Sequence, residues 1–375
     1  MRKYLILFVI ILATKVGADG LTDGAAQIIL IDMNSGRVLL EKNGYEKMHP
    51  SSMTKVPALF PLFERLKQGR LTLDDKLPVS VRAWKQEGSR MFLEPNTSVS
   101  IGDLMRGIIV QSGNDATTVV AEGLAGTEEQ YAHEMNQYLE KVGIKNSHFI
   151  NASGLPDDNH FTTAYDMARM AVELIGRYPE YYPIFSEKNF TYNNIRQGNR
   201  NPLLYKRGLP VDGIKTGQSS MGGYGIVASA KQNDLRLIVV VNGTQSVNDR
   251  SRIAENILRW GFREFKEYKL FDAGEVLDYV NVWLGNEEKV PLIVPENIFL
   301  TLSYREYSKL KMRIKYMSPI AAPLMAGQEI GKLIIEVPGT APLEYPLVAG
   351  TSVEEVGMFG RALSTIYYTI WGVGK

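Results

Sequence analysis

Two hairpin-like stretches lie far apart in the chain and constrain its fold most strongly. Residues 26–43 predict two strands joined by a turn at residues 34–36. Residues 222–243 predict a second hairpin that turns at residues 232–234. Helix-like apolar spacing fills most of residues 75–175 between them. Strands this distant can share a sheet only if the chain closes on itself, so we predict an α+β fold: an antiparallel sheet flanked by helices, with a helical subdomain.

The pattern changes after about residue 268. Four segments alternate apolar and polar residues or form short apolar runs bounded by Pro, Gly and Asn; they are DYVNVWL, FLTLSY, KMRIKYM and GKLIIEV. We therefore expect an α+β domain over residues 19–267 and a small all-β domain over residues 268–350.

The first 18 residues have the layout of a secretory signal peptide. Arg2 and Lys3 form a basic front, residues 4–13 are apolar, and residues 16–18 are small. A retained membrane anchor is the alternative, but an apolar run of about ten residues is shorter than the roughly 20 that span a bilayer. We expect cleavage after Ala18 and export of the mature chain.

The end of the chain predicts an amphipathic helix over residues 353–375. Apolar residues recur there at steps of three and four: Val356, Phe359, Leu363, Ile366, Tyr367 and Ile370. Glycines and charges interrupt the segment, so a helix lying in a membrane interface fits better than a membrane span, with Trp371 at headgroup depth. The alternative is a terminal helix that docks on the protein's own core.

Composition excludes several classes of function. The chain has no cysteine, which rules out disulfides, thiolate metal sites and a cysteine nucleophile. Without Arg2, Lys3 and Lys15 the net charge changes from +1 to −2, and such near-neutrality argues against nucleic acid as a partner. The four histidines lack metal-ligand spacing, so we expect no metal and no cofactor.

Ser52 and Lys55 form an S-x-x-K pair where an apolar helix begins. Residues three apart share a helix face, so the lysine amine can reach the serine hydroxyl. Alternatively, Ser52 or its neighbour Ser51 caps the helix and Lys55 is solvated. A second S-x-x-K pair, Ser308 and Lys311, lies in a strand-like stretch where the two side chains would face opposite ways.

Two further motifs favour a catalytic role for Ser52 and Lys55 over a helix cap. Ser112-Gly113-Asn114 follows an apolar run, and Lys215-Thr216-Gly217 precedes the second hairpin. Serine-x-x-lysine, serine-x-asparagine and lysine-threonine-glycine in that order are the signature of penicillin-recognising serine enzymes.

The chain resembles the low-molecular-mass penicillin-binding proteins that act as serine-type D-alanyl-D-alanine carboxypeptidases. The stretches GSRMFLEP, NASGLP and RWGFREF also look like that family, and the resemblance covers nearly the whole mature chain. It implies a catalytic domain with the penicillin-binding and β-lactamase-like fold, a β-rich second domain and a C-terminal membrane helix. The implied location is the periplasmic face of the bacterial inner membrane, and the implied partners are stem peptides ending in D-Ala-D-Ala, with β-lactams as covalent inhibitors.

The resemblance also implies a role for each site residue. Ser52 would be the nucleophile and Lys55 its base, with a pKa lowered by burial and by the charge of Lys215. Ser112 would relay a proton to the leaving amine, and Asn114 would bind the substrate amide. The other candidates would bind the substrate: the edge-strand residues Thr216 and Gly217, the oxyanion-hole residue Gln218, and the carboxylate-binding Arg200 and Arg250, for which a surface ion pair is the alternative.

Three related functions compete with a carboxypeptidase. A class A β-lactamase would need an E-x-x-L-N stretch, and the chain has no Leu-Asn pair. A transpeptidase or endopeptidase would use the same acyl-enzyme, and an inactive wall-binding homologue would keep only the fold. Gln218-Ser219 follows K-T-G where relatives often have histidine or threonine first, which puts the details of the substrate pocket in doubt.

Overall fold

The computed structural model describes residues 20–357, which form two compact units divided between Glu264 and Phe265. The division falls slightly before the predicted boundary at residue 267, because the strand that begins at Phe265 pairs within the second unit. The predicted signal peptide and residues 358–375 lie outside the described part. Among residues 20–357, no helix combines the length and apolar character that a membrane span requires.

The first unit combines a sheet with a largely helical middle segment. Its strands are β1 (Gln27–Asp32), β2 (Val38–Lys42), β3 (Lys47–Met48), β4 (Lys76–Pro78), β5 (Ser98–Ser100), β6 (Thr162–Thr163), β7 (Asn189–Tyr192), β8 (Ile195–Gly198), β9 (Val211–Ser219), β10 (Gly223–Gln232) and β11 (Leu235–Thr244). Its helices are α1 (Lys55–Ala58), α2 (Phe60–Lys67), α3 (Val81–Trp84), α4 (Ile101–Ile109), α5 (Asn114–Ala125), α6 (Glu128–Lys141), α7 (Ala164–Arg177) and α8 (Val247–Glu264), with 3-10 helices at Ser51–Thr54, Tyr182–Ser186 and Pro202–Tyr205.

The main sheet is antiparallel and has the order β2-β1-β11-β10-β9. Strand β1 from the start of the chain pairs with β11, so that Ile29 lies opposite Val240. Both predicted hairpins are confirmed: β1 and β2 pair with each other, and β10 and β11 turn between Gln232 and Leu235. Strand β9, which carries the K-T-G motif, lies at the edge of the sheet.

Helices cover both faces of this sheet because its central strands are apolar on both sides. On one face, α8 packs so closely that a Cβ on Gly261 would come within 3.0 Å of Leu30 and Leu237. On the other, Ile29 and Ile31 belong to one buried cluster with side chains from α1 to α7. The turn that carries Ser52 lies on this helical side, next to β9.

The second unit is almost entirely β-structure. Its strands are β12 (Phe265–Phe271), β13 (Val276–Trp283), β14 (Lys289–Ile293), β15 (Ile298–Ser303), β16 (Lys311–Tyr316), β17 (Ile320–Ala321), β18 (Glu329–Glu336) and β19 (Leu343–Ala349), with the short helix α9 (Tyr304–Tyr307). Strands β12 and β15 pair, and the larger sheet has the order β16-β18-β19-β14-β13-β17. Side chains such as Val280, Leu292, Leu333 and Leu347 form its buried core.

Two local expectations for this unit were wrong. Residues 353–357 are not helical, because Val353 forms a bridge with Leu324 and Glu355 forms one with Gly285. The β-structure therefore extends past residue 350, and any helix in the C-terminal segment begins later than residue 353. Ser308 is not in a strand but ends α9, where its hydroxyl donates to the Arg305 carbonyl.

Candidate active site

Ser52 lies in the short 3-10 helix that immediately precedes α1. Two segments approach this turn very closely. A Cβ on Gly217 of β9 would come 2.6 Å from the Pro50 carbonyl oxygen, and a Cβ on Gly154 would come 1.9 Å from the Ser51 carbonyl oxygen. Any larger residue would collide with backbone at either position. The glycine of K-T-G thus lets the edge strand lie directly against the turn that holds the serine.

Lys55 is fully buried and its amine points at Ser52. The Nζ atom lies 3.1 Å from Ser52 Oγ. It donates to Asn114 Oδ1 at 2.7 Å and to the Ser153 carbonyl oxygen at 2.7 Å. Three contacts from three separate segments therefore fix the amine beside the hydroxyl, and the alternative of a solvated lysine next to a capping serine is wrong.

The pKa of Lys55 is lowered to about 7, and burial is the leading cause. The carboxylates of Glu128 and Asp115 act in the opposite direction and raise this pKa. From the sequence, the charge of Lys215 was expected to contribute to this lowering. The structure instead gives burial as the cause, while the charge of Lys55 contributes to lowering the pKa of Lys215.

The S-x-N motif forms the start of α5. Gly113 is the N-cap residue and Asn114 the first helical residue, while Ser112 adopts φ +62° just before them. Asn114 Nδ2 donates to the Glu87 carbonyl at 2.7 Å, so the Asn114 side chain connects that loop to Lys55. The Ser112 hydroxyl lines the cleft but has no hydrogen-bond partner among residues 20–357, and its role as a proton relay stays a prediction.

Lys215 is the second buried lysine of the site. Its Nζ donates to the Thr216 carbonyl oxygen at 3.3 Å, and its exposed fraction is 2%. Burial lowers the pKa of Lys215 well below its usual range, and the charges of Lys55, Arg250 and Arg200 lower it further. The end of β9 is therefore surrounded by cationic groups, which favours an anionic ligand.

Arg250 projects from α8 and is 5% exposed. Its Nη1 donates to the carbonyl oxygens of Gly217 at 3.3 Å and Gly225 at 3.5 Å, while its buried Nε has no partner. Burial lowers the pKa of this guanidinium to about 10. Arg200 is exposed on the same cleft. Within residues 20–357 neither arginine forms an ion pair, so both remain available to an anion.

These segments enclose a cleft of about 640 Å³. The predicted site residues that line it are Ser52, Ser112, Asn114, Arg200, Thr216, Gly217, Gln218 and Arg250. The other two, Lys55 and Lys215, are buried beneath the surface. Three remote motifs and two arginines thus meet in one cavity.

Two features behind Lys55, the Ser153 carbonyl and the carboxylate of Glu128, were not predicted from the sequence. The Ser153 carbonyl accepts from Lys55, and the buried Glu128 accepts from Ala152 N at 3.1 Å. Glu128 also pairs with Arg82 at 3.2 Å. The stretch NASGLP, which contains Ser153, resembles the family, but the identity of a side chain does not reveal a role played by its backbone carbonyl.

Family models and known proteins match the sequence of this chain. Residues 14–246 match the model described as D-alanyl-D-alanine carboxypeptidase, and residues 265–355 match the penicillin-binding protein 5 C-terminal domain. The chain is 36% identical to D-alanyl-D-alanine carboxypeptidase DacA of Haemophilus influenzae over 99% of this chain and 97% of that protein. The chain belongs to the D-alanyl-D-alanine carboxypeptidase family.

Solved structures of this family share the fold. Penicillin binding protein 5 from Haemophilus influenzae superimposes with a TM-score of 0.79 at 37% identity, covering 88% of this chain and 98% of that one. Penicillin-binding protein D2 from Listeria monocytogenes, in its ampicillin-bound form, superimposes with a TM-score of 0.56 at 26% identity. That match covers 64% of this chain and 97% of that one.

Proposed function

We propose that this protein is a serine-type carboxypeptidase that removes the terminal D-alanine from peptidoglycan stem peptides ending in D-Ala-D-Ala. The supporting observation is a pair of features on one cleft. The Lys55 amine lies 3.1 Å from Ser52 Oγ, and the buried guanidinium of Arg250 has no anion beside it. The first feature suits attack on a carbonyl, and the second suits the free carboxylate of a chain end.

Acylation begins when Ser52 Oγ attacks the carbonyl carbon of the penultimate D-alanine while Lys55 Nζ takes the hydroxyl proton. A neutral lysine amine has two hydrogens and one lone pair. The two hydrogens suit Asn114 Oδ1 and the Ser153 carbonyl at 2.7 Å each, which leaves the lone pair for Ser52. Because burial lowers the pKa of Lys55 to about 7, the neutral form is populated near pH 7.

The tetrahedral intermediate then loses the terminal D-alanine. Its oxyanion accepts hydrogen bonds from the backbone N–H groups of Ser52 and Gln218, a device worth about 10²–10³ in rate for each donor. The proton held by Lys55 passes through the Ser112 hydroxyl to the leaving nitrogen, the C–N bond breaks, and Ser52 remains as an ester. Water then attacks this ester while Lys55 Nζ takes a proton from it, the C–O bond breaks as that proton passes to Ser52 Oγ, and the shortened peptide leaves with a new carboxylate.

The substrate binds as an extra strand along β9, which lies at the edge of the sheet. Asn114 and the backbone near Gly217 bind its amides, and Thr216 and Arg250 bind its terminal carboxylate. The exposed Arg200 adds positive charge at the rim. Because a buried cation without an anion is unfavourable, the substrate carboxylate would supply the partner that Arg250 lacks.

β-Lactams act in this proposal as covalent inhibitors that acylate Ser52 through the same base. Release would be slow, because the chain lacks the E-x-x-L-N glutamate that activates water in class A β-lactamases. The family's ampicillin-bound relative supports the first half of this expectation.

For its location we propose export and attachment to the periplasmic face of the inner membrane. The signal-peptide layout of residues 1–18 supports export. The three-and-four spacing of apolar residues in 358–375 supports a helix in the membrane interface.

The direct test is release of free D-alanine from a synthetic peptide ending in D-Ala-D-Ala. We expect Ser52→Ala to lower kcat by about 10⁴-fold or more, since the covalent step is lost. Ser308→Ala, which alters the exposed serine of the other S-x-x-K pair, is the matched control and should behave as the natural protein. Equal release from the Ser52→Ala variant and the natural protein would remove the proposal.

A further inference from the structure

A long uncharged loop in the second unit exposes both of its methionines, while Ala322 and Leu324 anchor it in the buried core. Residues 317–327, MSPIAAPLMAG, follow β16, include the two-residue strand β17 and precede β18. Met317 is 83% exposed and Met325 is 73% exposed. Methionine is usually buried, and apolar side chains gathered on one exposed segment indicate a contact surface.

This loop lies beside the point where the described chain ends. Leu324 N donates to the Val353 carbonyl at 2.9 Å, and Val356 N donates to the Leu284 carbonyl at 2.9 Å. The residue before Leu284 is Trp283, which is 39% exposed. The described chain therefore ends beside the second half of the loop, which carries Met325, while the first half, which follows Met317, pairs through Ala321 with Trp283.

We propose that residues 317–327, together with Trp283, form a second lipid-contacting surface that enters the membrane interface. The inference extends the membrane location proposed above and rests on it. The sequence of 358–375 has the apolar spacing of an interfacial helix and continues the chain from its end beside the second half of the loop. If that segment lies in the interface, the apolar loop beside its origin lies at a similar depth, and tryptophan is a residue favoured at that depth.

The charge of the second unit indicates which force would hold the loop in lipid. Residues 265–357 contain nine Lys and Arg against thirteen Asp and Glu. A net negative surface is not drawn to anionic lipid, so contact has to come from apolar burial. Binding through the loop should accordingly change little between low and high salt.

The chain allows a clean spectroscopic test because it has no cysteine. Met317→Cys in the full chain would carry an environment-sensitive dye, and vesicles of phosphatidylethanolamine and phosphatidylglycerol would be added. The matched control is Tyr304→Cys, since Tyr304 is 78% exposed but precedes β16, whereas Met317 follows it. The six-residue strand β16, about 20 Å long, therefore lies between the two positions in the chain.

We expect the dye at position 317 to shift to the blue and to be quenched by brominated lipid, while the dye at 304 stays unchanged. We also expect the M317Q/M325Q variant to lower the vesicle partition coefficient about tenfold. The control variant Tyr304→Gln should bind vesicles as the natural protein does, and D-alanine release should be unchanged in both variants.

Other results would overturn the inference in distinguishable ways. If the protein binds vesicles but the dye at 317 stays in water, the proposed lipid contact of the loop is wrong, while the proposed membrane helix still stands. If the full chain does not bind vesicles, both the lipid contact of the loop and the membrane helix are contradicted. A dye at 317 that is already shielded without lipid would mean that residues 358–375 cover the loop, or a second copy if the shielding depends on protein concentration.

Discussion

Replacing Lys55 with methionine is expected to lower the rate constant of acylation by about 10²–10⁴-fold, the usual contribution of a positioned base. Methionine keeps an unbranched apolar side chain in a fully buried position but cannot accept the Ser52 proton. The rate of labelling by a fluorescent penicillin measures this step directly. The change leaves Asn114 Oδ1 and the Ser153 carbonyl without their donor, so the melting temperature of each variant must be recorded as a folding control.

The same base predicts a specific pH dependence. The pKa of Lys55 is about 7, and the neutral form reacts, so acylation should rise with pH through about 7 and then level off. The charge of Glu128 raises this pKa, so Glu128→Gln should move the rise to lower pH while keeping an oxygen for Ala152 N. A rise centred near the ordinary lysine pKa, or one that persists in Lys55→Met, would contradict the assignment of Lys55 as the base.

Replacing Arg250 with glutamine is expected to lower kcat/KM for a peptide ending in D-Ala-D-Ala by about 10²-fold or more. Truncating one partner of a buried charge pair typically costs about 2–5 kcal/mol, because the other charge is left unpaired. The measurement is D-alanine release at substrate concentrations well below KM. Arg252→Gln is the matched control, since Arg252 is an exposed residue of the same helix that pairs with Asp249.

The decisive comparison for Arg250 uses the same peptide with its terminal carboxylate converted to an amide. The natural protein should cleave this neutral analogue poorly, and Arg250→Gln should change that slow rate little. If Arg250→Gln lowers kcat/KM by the same factor for both peptides, Arg250 supports the fold of β9 through Gly217 rather than recognising the carboxylate.

Local pattern predicted the parts of the structure that depend on short-range physics. Alternation and turn residues predicted the hairpins of β1–β2 and β10–β11, because register follows from which face is apolar. The three motifs predicted which residues meet in the cleft, because their chemistry requires side chains of those types. The family resemblance, rather than local pattern, implied that Lys215, Thr216 and Gly217 lie on an edge strand, and β9 is one.

Other features depend on contacts that sequence spacing does not encode. The pKa of Lys55 is lowered by burial that several segments create together, so the sequence suggested the direction but assigned part of it to Lys215. Glu128 acts through the backbone of Ala152 and could pass for a helix-start carboxylate. The end of the second unit was misplaced because Val353 bonds to the distant Leu324, although its sequence continues an amphipathic spacing.

The most direct test of the account is to find which atom becomes acylated. The natural protein would be incubated briefly with a penicillin and digested, and the peptide that gains the mass of the intact drug would be sequenced by tandem mass spectrometry. We expect the label on Ser52, strong above pH 7 and absent from Ser52→Ala. A label on Ser51 or Ser112, or a natural protein that stays unmodified, would contradict it.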